Sequence, residues 1–485
     1  MAVTRDILMF TKWNSRHISP GHRGAVIRWW ALLILILSAG TLWAQPIRLH
    51  PDNPHYFLWN GEPTILITSG EHYGAVLNRA FDYETYLQTL HSHGFNLTRT
   101  FSGAYCEPAG AFKIRDNTLA PGEGQLLCPW KRSDTTGYTE GGNKFDLTEW
   151  DPQYFARLRD FVATADQQGV VVELVLFCPF YRDAMWELSP MNARNNVNGI
   201  GDLNRTDVYT LKNKQLTGLQ ERMVEKIVTE LQGFDNLYYE ICNEPYFGGV
   251  TLDWQRHIAD IIVRTEEKLQ TRHLIAQNIA NGSAVITDPN PEVDIFNFHY
   301  AKPPTAVTVN YHLGKAIADD ETGFSGSGPK PYRLEGWGFI LAGGAVYDNL
   351  DYSYTVGHED GTAEIQAPGD GGPVFRDQLE ILRDFITGFD FINMVPDSTV
   401  ILNSLPDSIT VRVLAEEGSS YALYVKGNGL RQLRVRLPDG KYTAEWVNTK
   451  TGGVNKSEVV RSTHGQVTLE CPRYRDGTAL RIRHR

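Results

Sequence analysis

Between residues 64 and 386 the chain changes hydrophobic period repeatedly. Short, nearly continuous apolar runs such as Thr64-Ile-Leu-Ile-Thr-Ser-Gly70 and Val170-Val-Val-Glu-Leu-Val-Leu-Phe177 alternate with longer stretches whose apolar residues recur every three or four positions. The short runs predict strands covered on both faces, and the long ones predict amphipathic helices packed over them. Strands are expected at 64–70, 95–101, 170–177, 236–242, 273–277, 294–300, 315–321 and 345–347. Helices are expected at 83–93, 152–168, 213–232, 252–270, 332–342 and 374–386. Eight strands separated by helical sequence imply a parallel sheet closed into a TIM (β/α)8 barrel, here over residues 45–395. Ahead of it, His55-Tyr-Phe-Leu-Trp-Asn-Gly-Glu62 reads as a hairpin arm turning at Asn60-Gly61. The Gly- and Pro-rich excursion at 102–147 is long for a connection, and such loops are usually functional.

From residue 396 the period drops to two. Ile409/Val411/Val413 and Leu433/Val435/Leu437 alternate with polar residues, and Pro438-Asp-Gly440 marks a turn. Residues 396–485 are therefore expected to form a small antiparallel β-sandwich that supports the barrel. A glycan-binding role would instead draw on Tyr421, Tyr424, Tyr442, Trp446 and Tyr474 as exposed aromatics.

Composition narrows the function. A chain of 485 residues with 42% hydrophobic content can bury one large core and one smaller one. A formal net charge of -11 excludes nucleic acid as the main partner. The apolar run at 29–43, preceded by Arg28, has the length of a signal-peptide core rather than of a membrane span. Leu42 is a poor cleavage-site residue, so residues 1–44 are read as a signal peptide or an uncleaved anchor, with Val26 as the expected true start. Either implies a secreted or periplasmic protein with no other membrane contact, expected to be a monomer. Among five cysteines, Cys106 and Cys128 bracket a loop and are the best pair for a disulfide, whereas Cys178 and Cys242 sit in apolar strands as buried thiols. No metal-ligand spacing and no glycine-rich phosphate loop occurs, so neither metal nor cofactor is expected.

Two strands end on a carboxylate. In Asn236-Leu-Tyr-Tyr-Glu-Ile-Cys-Asn-Glu-Pro245 the proline stops the ladder just after Glu244, and Lys315-Ala-Ile-Ala-Asp-Asp-Glu321 delivers Glu321 in the same way. The C-terminal rim is where barrel enzymes keep their chemistry, and two carboxylates there suit glycoside hydrolysis. Glu335 competes with Glu321, but too few residues separate it from the strand at 345 for a crossover helix. Arg99 can hold the nucleophile ionised, Asn243 can bind a sugar hydroxyl beside the acid, and His299 and Tyr300 can orient both glutamates. His72, just past the first strand, and the loop aromatics Tyr246 and Trp186 are further substrate-binding candidates. Tyr105, Trp130, Phe180, Tyr181 and Phe247 also follow strand ends.

Gly94-Phe-Asn-Leu-Thr-Arg99, Asn243-Glu244-Pro245, Phe298-His299-Tyr300 and Asp320-Glu321-Thr-Gly323 together resemble glycoside hydrolases of clan A, most of all the cellulase-type enzymes of family 5, over roughly residues 50–390. That resemblance implies retaining hydrolysis of a β-linked poly- or oligosaccharide, with Glu244 as acid/base and Glu321 as nucleophile. The last ninety or so residues loosely resemble collagen-binding-like sandwiches that follow such barrels. One departure stands out: family members commonly end the eighth strand on tryptophan, and Ala345-Val-Tyr-Asp-Asn-Leu350 has none. The rival reading is a non-catalytic carbohydrate-binding or surface-adhesion protein, against which two intact carboxylates weigh. A retaining pair should stand about 5–5.5 Å apart and an inverting pair about 6.5–9.5 Å.

Overall fold

The computed structural model describes residues 45–485. Eight parallel strands form one sheet: Leu66–Gly70 (β1), Leu97–Phe101 (β2), Val171–Phe177 (β3), Leu237–Cys242 (β4), Ile275–Asn281 (β5), Ile295–His299 (β6), Ala316–Thr322 (β7) and Val346–Leu350 (β8). Hydrogen-bonded neighbours run β1-β8-β7-β6-β5-β4-β3-β2. Every residue of seven strands is buried, and only β5 emerges into solvent at Asn281. Cover on both faces explains why these strands read as unbroken apolar runs.

The ring closes between β1 and β2 without a backbone ladder. The Asn96 side chain takes its place, accepting from the Ile67 N–H at 3.0 Å and donating to the Ile65 carbonyl at 2.9 Å. One amide thus satisfies a donor and an acceptor that a strand partner would otherwise pair.

Helices Tyr83–Ser92 (α1), Pro152–Gln167 (α2), Lys214–Leu231 (α3), Leu252–Leu269 (α4), Thr305–Asn310 (α5), Lys330–Ile340 (α6) and Pro373–Thr387 (α7) follow β1, β2, β3, β4, β6, β7 and β8 in turn. Their starts are written in the sequence. Thr251 caps α4 by accepting from the Trp254 N–H, Asn213 caps α3, and Pro373 opens α7. Phe375, Leu379, Leu382 and Ile386 make the buried stripe of α7. Helical sequence between every pair of strands is not what forms, because among the described residues 282–294 carry no helix. Gly282, Pro289 and Pro291 break that connection. The short α5 lies where only a connection is expected.

Leading into the barrel, Arg48–Leu49, Phe57–Trp59 and Glu62–Thr64 make a small antiparallel sheet. Asn60 and Gly61 both take positive φ, 53° and 80°, as a tight hairpin turn requires. The apolar run from residue 64 is therefore shared, Thr64 ending the arm and Leu66 starting β1. The excursion after β2 contains its own hairpin, Trp130–Thr136 against Asn143–Trp150.

The C-terminal strands are Val395–Pro396 (β9), Thr410–Glu416 (β10), Ser420–Lys426 (β11), Gln432–Arg436 (β12), Gly440–Val447 (β13), Val454–Ser462 (β14), Gln466–Glu470 (β15) and Gly477–His484 (β16). Six pair antiparallel in the order β9-β10-β11-β16-β13-β14, and β12 and β15 form a separate ribbon. Leu433, Val435 and Leu469 of the ribbon pack on Leu423, Trp446, Leu480 and Ile482 of the sheet. The opposite sheet face, with Leu414, Ala422, Tyr424 and Ala479, joins the apolar core of the barrel. There Trp337 of α6 lies 5.5 Å from Tyr424 between ring centroids.

Both faces of that sheet are thus covered. Tyr421, Tyr424, Tyr442 and Trp446 are buried and offer no aromatic face to a glycan, while Tyr474 is half-buried. Deleting residues 396–485 is expected to uncover Trp337 and its neighbours, lowering Tm by about 10 °C or abolishing soluble expression. A thermal melt checks this. A truncated barrel of unchanged Tm that selectively loses polysaccharide binding would assign the segment to glycan binding instead.

Cys106 and Cys128 do not form the expected disulfide; both are buried free thiols. Each behaves as a small core hydrophobe, and burial pushes the Cys128 thiol up to about 12. Cys178 and Cys242 are free and buried, as expected. The run at 29–43, with its cleavage or anchoring and the start at Val26, lies outside the described residues. Among the described residues no helix is long and apolar enough to cross a membrane.

Candidate active site

Three residues just past barrel strands share an uncommon backbone. Tyr73 after β1, Glu244 after β4 and Tyr300 after β6 have φ of 61°, 36° and 53°. For bulky side chains this region is sparsely populated and persists only where surroundings enforce it. The Tyr300 N–H donates to the Glu321 carbonyl at 2.9 Å, and the Tyr73 carbonyl accepts from Phe101 at 3.0 Å.

Glu321 reaches the same place by another route. The β6–β7 register pairs Phe298 with Asp319 and then His299 with Glu321, so Asp320 is an extra residue in β7. In a regular strand Asp320 and Glu321 would point to opposite faces. The bulge lets both approach Arg99, with Asp320 at 3.4 Å and Glu321 at 3.4 Å.

Glu321 is surrounded by donors. Tyr73 donates its hydroxyl to one oxygen at 3.0 Å, Tyr300 donates to the other, and Arg99 Nη1 reaches the first. Burial alone would raise this carboxyl, but His299, Arg99 and Tyr300 prevail and hold it well below the ordinary carboxylate range.

Arg99 is anchored beneath. Its Nε and Nη2 donate to Glu240 at 2.9 and 2.5 Å, and Nη2 also donates to Asn243 Oδ1 at 2.8 Å. Glu173 lies nearby and accepts from Tyr238 and Asn297, the latter also donating to Asp320. Four carboxylates around one guanidinium cannot all stay ionised in a dry interior. Burial pushes Glu173 well above the ordinary range and Glu240 up to about 7. Raised pKa values in the floor lessen the competition that Glu321 meets for Arg99. Arg99→Met is expected to cost about 3–5 kcal/mol, since it strands buried carboxylates without their cation. Chemical denaturation checks this.

Glu244 sits in a different setting. Its Oε2 accepts from Tyr181 at 2.7 Å, and its Oε1 accepts from Tyr246 at 3.2 Å. His299 Nδ1 stands between the glutamates, 3.1 Å from Glu244 Oε1 and 3.5 Å from Glu321 Oε1. Although burial works against its charge, Glu321 and Glu244 raise the His299 pKa well above its ordinary value. One oxygen from each glutamate and the imidazole nitrogen lie within 4.8 Å of one another. That spacing would also suit a metal. Here, however, phenol, guanidinium and imidazolium donors already face those oxygens, and the Arg99 charge below opposes a cation.

The Asn243 amide is occupied at both ends, Oδ1 by Arg99 and Nδ2 by Tyr181 at 2.8 Å. It ties the guanidinium to the phenol that holds Glu244.

A cavity of about 450 Å³ opens over the two glutamates. His72, Tyr181, Asn243, Phe247 and Tyr300 line it, as strand-end placement suggests, and Arg99 lies buried below. Tyr246 stands half-exposed, its hydroxyl shared between Glu244 and Asn281. Trp186 is not brought there. It is 5% exposed, donates Nε1–H to the Leu203 carbonyl and packs on Phe180, as a loop anchor would. Trp130, Tyr105 and Phe180 are likewise buried. Glu335 lies on α6 and pairs with Lys302 at 3.0 Å, which removes it from competition with Glu321. Past β8, where tryptophan is absent, Tyr352 packs toward His72 and Phe324.

Sequence reasoning missed Tyr73, Glu107, Phe112, Phe324 and the floor residues Glu240 and Asp320. Tyr73 was within reach, being the third residue past β1. Asp319-Asp320-Glu321 was a visible signal too, since three acids inside an apolar strand need buried partners.

No family model and no curated protein matches the chain. Solved structures do. A candidate glycoside hydrolase from Bacteroides vulgatus ATCC 8482 superposes with a TM-score of 0.68 at 15% identity, covering 92% of this chain and 84% of that one. A family 5 glycoside hydrolase from the same organism gives 0.59 at 12% identity, over 90% and 93%. A third structure, named simply a glycoside hydrolase, gives 0.59 at 14% identity, over 91% and 97%. The chain therefore shares the fold, a (β/α)8 barrel followed by antiparallel sheets, of solved glycoside hydrolases that include a member of family 5.

Proposed function

We propose that the protein is a retaining glycoside hydrolase acting on a β-linked poly- or oligosaccharide by double displacement. The observation that carries this reading is the unequal treatment of two adjacent carboxylates bridged by His299. Glu321 is ringed by cations and phenols that keep it ionised, as a nucleophile must be. One oxygen of Glu244 lies within 4.8 Å of one oxygen of Glu321, so both carboxyls face a single site, as a two-carboxylate hydrolysis requires.

In the first step a Glu321 oxygen bonds to the anomeric carbon while the glycosidic C–O bond breaks and Glu244 gives its proton to the departing oxygen. In the second, Glu244 takes a proton from water, the water oxygen bonds to the anomeric carbon, and Glu321 is released. Two inversions give net retention. Half-exposed Phe247 and Phe324 at the cavity supply faces for sugar rings. Export through the segment at 29–43 would bring such an enzyme to polymers outside the cytoplasm.

A panel of aryl glycosides and polysaccharides, assayed for reducing ends with the product anomer followed by NMR, tests the proposal. Release of the β-anomer first from a β-glycoside is expected. Release of the α-anomer, or no turnover across the panel, would overturn it.

A further inference from the structure

The segment after β2 brings polar groups to the cavity that double displacement does not use. Glu107, 4% exposed, lines the cavity. Its Oε1 accepts from the Tyr105 hydroxyl at 3.0 Å, and its Oε2 accepts from Asn117 Nδ2 at 2.6 Å. Asn117 Oδ1 in turn accepts the Leu119 N–H at 2.9 Å. Two separate contacts therefore orient the amide, nitrogen toward Glu107 and oxygen away from it. Even a protonated Glu107 would leave the Leu119 contact to hold it in the same sense.

That oxygen lies 2.8 Å from His72 Nδ1. An amide oxygen can only accept, so Nδ1 must carry the hydrogen. In the neutral imidazole this leaves Nε2 as a bare lone pair. Nε2 makes no hydrogen bond to the described residues, while the ring lines the cavity.

The main chain beneath is locked as well. Thr118 Oγ1 donates to the His72 carbonyl at 2.7 Å, and Asn78 Nδ2 donates to the Thr118 carbonyl at 3.1 Å. A Cβ at Gly74 would stand 2.2 Å from that same carbonyl oxygen, so the loop and the excursion approach more closely than any other residue allows. The His72 ring sits 5.4 Å from the ring of Tyr73, whose hydroxyl holds Glu321.

We propose that His72 is a specificity-determining residue: Nε2 accepts the hydrogen of one hydroxyl on the sugar bound against Glu321, and Glu107 and Asn117 set the imidazole for that task. The proposal rests on the hydrolase reading for its ligand, but not for the hydrogen placement.

Two measurements decide it on the full chain. Two-bond proton–nitrogen correlation of histidine-labelled protein, with the His72 signals identified by their loss in His72→Leu, should show a protonated Nδ1 and a bare Nε2. Asn117→Leu should abolish that bias. A hydrogen found on Nε2 of the neutral ring in the unaltered protein would overturn the proposal. The second uses the glycoside that turns over, with its singly deoxy and deoxyfluoro analogues.

At one hydroxyl, both analogues should lose about 10- to 100-fold in kcat/KM, because neither keeps an O–H to donate. His72→Leu should lose as much on the parent glycoside yet nothing further on those analogues, and His72→Gln, which offers an amide oxygen, should recover part of it. Losses that simply add at every hydroxyl would overturn the proposal. No turnover of any glycoside would overturn the hydrolase reading and the sugar as ligand, while the tautomer signal would still decide where the hydrogen sits.

Discussion

Glu321→Gly is expected to lower kcat by about 10⁴–10⁶, because it removes the group that forms the covalent intermediate. Azide should restore part of that loss. It is small enough to enter the vacated space and should leave as a glycosyl azide of inverted configuration, one displacement having replaced two. Recovery without inversion, or a loss below tenfold, would place the nucleophile elsewhere. The ring of donors around Glu321 also ties it to stability. Its folded-state pKa is depressed below the ordinary 4.5, so its ionised form stabilises the fold above about pH 4.5 and that contribution is lost as pH falls. The glycine variant should therefore lose less stability than the unaltered protein on acidification.

Glu244→Gln should separate substrates by leaving group. With a poor leaving group the departing oxygen needs the proton, and a loss of about 10²–10⁴ in kcat/KM is expected. With an activated aryl leaving group that step needs little help, and kcat/KM should fall by less than about tenfold. Steady-state kinetics on a matched pair of glycosides reads the difference. Equal losses on both would remove Glu244 from the acid role. Tyr181, Tyr246 and His299 all contact the Glu244 carboxyl, so the glutamine amide must reverse at least one of these contacts. The variant should be judged on the ratio between substrates rather than on either rate alone.

The strands were legible because parallel strands inside a barrel are covered on both faces and so stay apolar throughout. Val171–Phe177 is the clearest case, and Glu173 alone interrupts it. That interruption was also the limit of the reading. A single acid in an apolar strand looks like a solvated end until its partners are known. Glu173, Glu240 and Asp320 meet around Arg99 only once β2, β3, β4 and β7 face one another inside the closed ring.

The rim glutamates could be read because proline fixes one strand end and crossover length fixes the other. The bulge that turns Asp320 and Glu321 the same way leaves no local trace. Loop aromatics were unreadable for a different reason. Trp186 and Phe247 both follow strand ends, yet one anchors a loop and the other faces the cavity, a choice made by tertiary packing. Cys106 and Cys128 show the same limit, since spacing suggested a bond that burial as separate thiols makes unnecessary.

Asn96 gives the barrel the mechanics of a split hoop. Seven of its joins are backbone ladders, whereas the eighth has a side-chain clasp at its foot and one backbone bond, from Phe101 to the Tyr73 carbonyl, at its top. A hoop loaded from any direction yields first at its clasp. Here the clasp lies at the foot of β1, the stave whose upper end carries His72 and Tyr73, and beside β2, whose upper end launches the excursion with Glu107 and Asn117. A guest that wedges itself between the two staves would for that reason load a side-chain amide and one backbone bond instead of a strand ladder.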